Sequence, residues 1–229
     1  MIERAYQQEY YAPWEAQTQV RAAIWRRRLA EVERVKHPPG DLLDVGCGTG
    51  DFLDCARARG WRVRGTEVSA YACRAAGARG FLIHQGEIWE AGLSADTVDV
   101  VTCWHVLEHA RDPARIVREI HRVLKPGGAL FLATPNVEDY LFRAAYRLAR
   151  GRRPPLYEPD ERELHLFHFS PRTLRALLVS AGFQRVTIGF DRDAAAVLSK
   201  RLVNELAYGW FRLTGMNWGM AMTAVAPKA

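Results

Sequence analysis

The chain has 229 residues, enough for one domain of about 150 residues with appendages, or for two small ones. With 48% hydrophobic, 25% charged and 10% aromatic residues, it cannot be a disordered, collagen-like or disulfide-scaffold chain. A formal charge of +6, from 32 Lys and Arg against 26 Asp and Glu, permits an anionic partner without requiring one.

The first ten residues carry Glu3, Arg4 and Glu9 where an export signal needs an apolar run, and no later run approaches the ~18 apolar residues of a membrane span. Cys47, Cys55, Cys73 and Cys103 form no C-x-x-C pair, so the cysteines indicate neither a zinc site nor a disulfide framework. Reduced thiols in a cytoplasmic protein, with no resident metal, are the expectation. Two arginine clusters, Arg26 to Arg28 and Arg143, Arg147, Arg150, Arg152 and Arg153, read as solvated helix faces in preference to a nucleic-acid patch.

In chain order, residues 14–36 read as one or two helices, with Val20, Ile24, Leu29, Val32 and Val35 at mostly helical spacings before Pro38-Pro39-Gly40. A short apolar run, 42–45, then enters glycines. Helices over 51–59, 69–77 and 113–123 alternate with strands at 62–66, 81–83, 98–103 and 129–133, the last reached through the turn Lys125-Pro126-Gly127-Gly128. Beyond Thr134-Pro135-Asn136 come a helix at 137–149 and an irregular basic stretch at 151–159. Ser170-Pro171 then caps a helix running to Ala181, and strands at 183–190 and 220–226 flank a helix at about 193–213. Alternating strands and helices predict a doubly wound α/β domain with a mostly parallel sheet. Residues 1–39 then form an N-terminal helical cap, and 40–229 the main domain with insertions at about 137–169 and 192–217.

The densest chemical signal is Leu42-Leu43-Asp44-Val45-Gly46-Cys47-Gly48-Thr49-Gly50, a strand running into three alternating glycines and a helix. In a doubly wound sheet this turn lies where the topology places a nucleotide-like ligand. Glu67, 21 residues after Gly46, ends the second strand, where its carboxylate can accept from both hydroxyls of a ribose. A dinucleotide fingerprint wants glycine at 51, but Asp51 stands there and would repel a pyrophosphate at a helix N-terminus. The ligand should have a ribose and lack a pyrophosphate.

These segments resemble the class I S-adenosylmethionine-dependent methyltransferases. The glycine stretch resembles the first family motif, Glu67 the ribose acid, and Gly86-Glu87-Ile88 the segment that touches adenine, with Glu87 where the family often has aspartate. Residues 99–109 resemble the fourth-strand motif and 124–128 the turn into the fifth strand. His165 to Ser170 and Leu174 to Phe183 are similar to bacterial ubiquinone-pathway O-methyltransferases. The resemblance implies a Rossmann-like seven-stranded sheet and S-adenosylmethionine as cofactor, leaving as S-adenosylhomocysteine. By resemblance, Asp44, Gly46, Cys47, Gly48, Gly50, Glu67, Val68, Glu87, Ile88, Cys103, Trp104 and His105 surround the cofactor.

Methyl transfer from a sulfonium is an in-line displacement served by alignment and desolvation, and a hydroxyl acceptor must also lose a proton. Histidine suits that task near neutral pH. His165 is the favoured base, with His168 and His109 as further candidates, while His105 can pack beside the methionine end of the cofactor. Tyr6, Tyr10, Tyr11 and Trp14 form either an acceptor lid or a staple for the N-terminal helix. The expected acceptor is a small molecule, apolar or lipid-like if the stripes around 140–148 and 202–213 with their cationic flanks lie at a membrane surface. A core or dimer contact is the commoner fate of such stripes. The alternatives are an RNA methyltransferase, for which no RNA-binding module is recognisable, and a non-catalytic cofactor-binding partner protein.

Overall fold

The computed structural model describes residues 10–11, 18–154, 165–194 and 198–229, without the side chains at 18–20, 194, 198 and 199. Tyr6, Trp14 and positions 155–159 of the basic stretch lie outside the described residues. Helix α1 (Thr18–Glu33) precedes an alternation of β1 (Asp41–Val45), α2 (Asp51–Ala58), β2 (Arg62–Glu67), α3 (Ala70–Ala78), β3 (Leu82–Gln85), β4 (Val98–Trp104), α4 (Pro113–Val123) and β5 (Leu124–Pro135). The chain continues through α5 (Tyr140–Arg150), α6 (Pro171–Ser180), β6 (Thr187–Phe190), α7 (Leu198–Thr214) and β7 (Ala221–Pro227).

Polar side chains start several of these helices by accepting otherwise orphaned backbone N–H groups. Ser69 accepts from Ala72 N at 3.2 Å, Asp112 from Arg115 N at 2.8 Å, and Ser170 from Thr173 N at 3.2 Å. Pro113 and Pro171 occupy first-turn positions that need no N–H donor.

The seven strands form one sheet in the order β3-β2-β1-β4-β5-β7-β6. The first five are parallel, and β7 runs antiparallel to both β5 and β6. Because strand side chains alternate between faces, each central strand feeds two cores. Leu43, Val45, Val101, Cys103, Leu130 and Leu132 join one with Ile116, Ile120, Leu174 and Phe183. Leu42, Val100, Ala129 and Phe131 join the other with Leu29, Val32, Phe52 and Leu53.

Two strands differ from the expectation. β5 begins at Leu124, which pairs with Val98, and the turn residues 125–128 lie in the irregularity before Ala129 pairs with Val100. β6 is only four residues long, since its ladder with β7 starts at Thr187; Phe183 and Val186 are apolar because they fill the core, outside that ladder.

The arginine cluster of α1 is also not uniformly solvated. Arg26 and Arg27 are exposed, but Arg28 is 5% exposed and reaches Asp191, just after β6, at 3.0 Å. Its guanidinium also lies over Trp104, 4.7 Å from the ring centroid, an arrangement that partly compensates a buried cation. The pair couples the first helix to the far end of the sheet.

Removing one partner of a buried ion pair leaves an uncompensated charge, whereas replacing both with apolar groups does not. Arg28→Ala is therefore expected to cost about 3–5 kcal/mol in urea unfolding, and the double variant Arg28→Met/Asp191→Leu clearly less. Equal losses would show that packing, and not the ion pair, carries the contact.

Candidate active site

Strand order reverses between β1 and β4, and at such a point the loops leaving the carboxyl ends diverge and open a crevice. An open cavity of about 1880 Å3 lies there, reaching from the glycine loop to α1, the segment after β6 and α7. Of the residues singled out in the sequence, Asp44, Gly46, Cys47, Gly48, Glu67, Val68, Glu87, Trp104, His105, His109 and His165 line it. Tyr10 and Tyr11 line it too, with Tyr11 stacked on Tyr71 at 5.8 Å.

Gly50, Ile88, Cys103 and His168 are not in that lining. Gly50 is the left-handed residue that starts α2, Ile88 and Cys103 are buried in the core, and His168 is exposed. Within the loop, Gly46 is indispensable on steric grounds. Its φ is 69°, and a Cβ there would stand 2.4 Å from Val106 Cγ2, so no larger residue fits without displacing the turn after β4.

Three acids frame the glycine half of the cavity. Glu67 is buried, with Oε2 accepting from Gly48 N at 2.9 Å and Oε1 from Ser69 N at 2.8 Å. Burial raises its pKa, and these backbone donors act in the opposite direction. A carboxylate has about four acceptor positions, and the backbone donors at Gly48, Val68 and Ser69 leave part of that capacity for a ligand. Asp44 takes a hydrogen bond from Thr102 Oγ1 at 2.6 Å, and burial pushes its pKa up to about 7. Glu87 is half-buried and caps the short turn Ile88–Glu90, in which its own N–H reaches Glu90 at 2.8 Å.

The opposite half holds charges that pattern reading did not assemble. His105 has a φ of 56°, uncommon for a side-chain-bearing residue, and its imidazole is 35% exposed to the cavity. Its Nε2 is 3.5 Å from Asp191 Oδ2 and its Nδ1 is 3.3 Å from Glu108 Oε1. Burial and the Arg28 guanidinium, whose Nη2 is 3.1 Å from His105 Nε2, lower its pKa, but the two carboxylates outweigh them and hold it at about 9. Charge balance agrees: Arg28 and His105 face Asp191 and Glu108, two against two. Asp191 is held well below the ordinary carboxylate range, burial being outweighed by Arg28 and His105.

His109 and His165 lie side by side, with ring centroids 4.9 Å apart. The segment bearing His165 is fastened to the turn after β4, because Leu166 N and Phe167 N both donate to Glu108 O, at 2.7 and 3.0 Å. Arg28, Glu108 and Asp191 were not among the candidate residues from sequence. Glu108 alone had a local signal, its place between Leu107 and His109 in the fourth-strand motif.

A family model described as a methyltransferase domain matches residues 14–188. The ubiquinone biosynthesis O-methyltransferase of Paraburkholderia xenovorans is 36% identical over 125 residues, covering 50% of this chain and 54% of the relative. The chain thus spans about half the length of the curated relatives it matches. Among solved structures, an S-adenosylmethionine-dependent methyltransferase of Thermotoga maritima superposes with a TM-score of 0.68 at 19% identity, covering 100% of both chains. The phosphoethanolamine N-methyltransferase 2 of Haemonchus contortus, in complex with S-adenosylmethionine, gives 0.60 at 15% identity over 89% of this chain and 52% of that one.

The chain belongs to the methyltransferase-domain family. Its fold is that of the S-adenosylmethionine-dependent methyltransferases.

Proposed function

We propose that the chain transfers the methyl group of S-adenosylmethionine to a hydroxyl of a small, apolar acceptor, with residues 1–39 capping the domain formed by 40–229. The observation that carries this reading is the Glu67 carboxylate, which is bound to the glycine loop through Gly48 N, lines the cavity and keeps acceptor capacity beyond its backbone donors. Such an acid suits the two hydroxyls of a ribose. Asp44, also in the cavity lining, suits the cofactor's ammonium group, and Glu87 the adenine edge. When bound, the cofactor supplies an electrophilic methyl group on a sulfonium.

Similarity to O-methyltransferases of ubiquinone biosynthesis supports oxygen as the methylated atom. His109 and His165, which line the cavity side by side, are the residues best placed to take the acceptor's proton. His168 is exposed and outside the lining, which supports His165 as the one of the two that acts. His105, already protonated near neutral pH, suits charge stabilisation better than proton abstraction.

The surface beside the cavity supports a lipid-like acceptor. α5 buries no residue, and Leu148 and Leu213 are 88% and 85% exposed, with Leu202, Leu206 and Met216 also exposed. Lys200, Arg201, Arg143, Arg147 and Arg212 border these apolar groups, and Lys200 and Arg201 also line the cavity. Apolar side chains flanked by cations suit the face of an anionic bilayer. Among the described residues, no helix is long and apolar enough to cross a membrane.

Three measurements test this. Glu67→Ala is expected to weaken S-adenosylhomocysteine binding by about 1–3 kcal/mol in calorimetry and also to lower the unfolding temperature, because Gly48 N and Ser69 N lose their acceptor. Unchanged affinity would place the ribose elsewhere. Pairing with the ligand's ammonium requires Asp44 to be ionised, and below about pH 7 it carries a proton that must first leave. Affinity should therefore fall by up to about tenfold per unit as pH drops below 7 and level off above it, a dependence that Asp44→Asn should abolish. Sedimentation with anionic liposomes should retain the protein at low salt and release it at high salt; no binding at low salt would remove the membrane contact.

A further inference from the structure

We propose that Glu108, His109 and His165 bind a divalent first-row transition-metal ion that takes the acceptor's hydroxyl as an additional ligand. The second half of this proposal rests on the hydroxyl-acceptor reading above; the ion site itself does not.

One donor atom from each residue lies within 4.8 Å of the other two. Nitrogen and oxygen donors sit about 2.0–2.2 Å from such an ion, so two donors sharing it are at most about 4.4 Å apart. A small side-chain rotation closes the difference. Backbone contacts have already brought the donors together: Glu108 and His109 are adjacent after β4, and Leu166 and Phe167 tie the His165 segment to the Glu108 carbonyl.

A second, independent observation concerns Glu108 itself. Its side chain is 1% exposed. Oε2 accepts from Thr134 Oγ1 at 3.0 Å, but Oε1 is buried without a hydrogen-bond partner. His105 Nδ1, 3.3 Å away, balances charge without completing that bond. A buried carboxylate oxygen left in this state is costly unless a cation or donor meets it. Glu108, His109 and His165 all line the same cavity.

One carboxylate and two imidazoles form a donor set suited to zinc, manganese, iron or cobalt, and they leave coordination positions open. Magnesium, which prefers oxygen donors, is poorly matched. An ion here would act as a Lewis acid: the acceptor oxygen binds it and its proton passes to water, replacing direct proton transfer to His109 or His165, whose lone pairs the ion engages. The oxygen lone pair then forms the O–CH3 bond as the C–S bond breaks. That bonding pair stays on sulfur, so the sulfonium becomes neutral S-adenosylhomocysteine.

The test uses the full chain, stripped with a chelator and titrated with Co2+ while its visible d–d absorption is followed. One Co2+ per chain should bind, and Zn2+ should displace it. Glu108→Gln, His109→Ala and His165→Ala should each weaken binding by at least about tenfold. Calorimetry with S-adenosylhomocysteine on the same variants should give near wild-type affinity, showing that the fold and the cofactor half are intact. Absence of a one-to-one Co2+ complex in the wild type, or equal affinity in all three variants, would overturn the ion site. Ion binding with methyl transfer to no hydroxyl would overturn the ion's role toward the acceptor and leave the ion site standing.

Discussion

A single buried carboxylate organises the glycine half of the cavity. Glu67 ends β2 and accepts from Gly48, in the loop after β1, and from Ser69, which caps α3. Two loops and a helix start are thereby held by one side chain, so the loop does not have to be ordered by its ligand. Gly46 provides the other half of this constraint. Its left-handed backbone and contact with Val106 bring the loop against the turn after β4, which carries Glu108 and His109. The glycine loop is thus fixed by sterics at Gly46 and by a buried acid at Gly48.

Opposite the glycines, the structure retains charge inside the molecule. Arg28, His105, Asp191 and Glu108 lie in contact, and a set with two positive and two negative members is tolerable where any one alone would be costly. The four come from three parts of the fold: Arg28 from α1, His105 and Glu108 from the turn after β4, and Asp191 from the segment after β6. The arrangement forms part of the cavity wall from charged groups, with Arg28 packed over the Trp104 ring. Glu108 is shared between this network and the His109–His165 pair.

The apolar surface of α5 and α7 belongs to the same functional question. α7 buries Asn204 and Ala207 inward, while Leu206 and Leu213 face outward and Lys200 and Arg201 reach the cavity. An acceptor held at an apolar surface would therefore meet the cavity mouth without crossing the protein.

Residues 41 to 135 were legible in the sequence because their determinants are local. Glycines that need unusual backbone angles and strands whose short apolar runs feed two cores act within a few residues of themselves, as does the cap read at Ser170 further along the chain. Glu67 was legible for the same reason, since it stands at a strand end a fixed distance after the glycines. The insertion of β7 between β5 and β6, the pairing of Arg28 with Asp191 across 163 positions, and the meeting of Glu108 with His165 were decided by the tertiary structure. Hydrophobic period and spacing report which face of an element is buried, but not which distant element covers it. An arginine beside two exposed arginines looks solvated until the returning chain places a carboxylate against it.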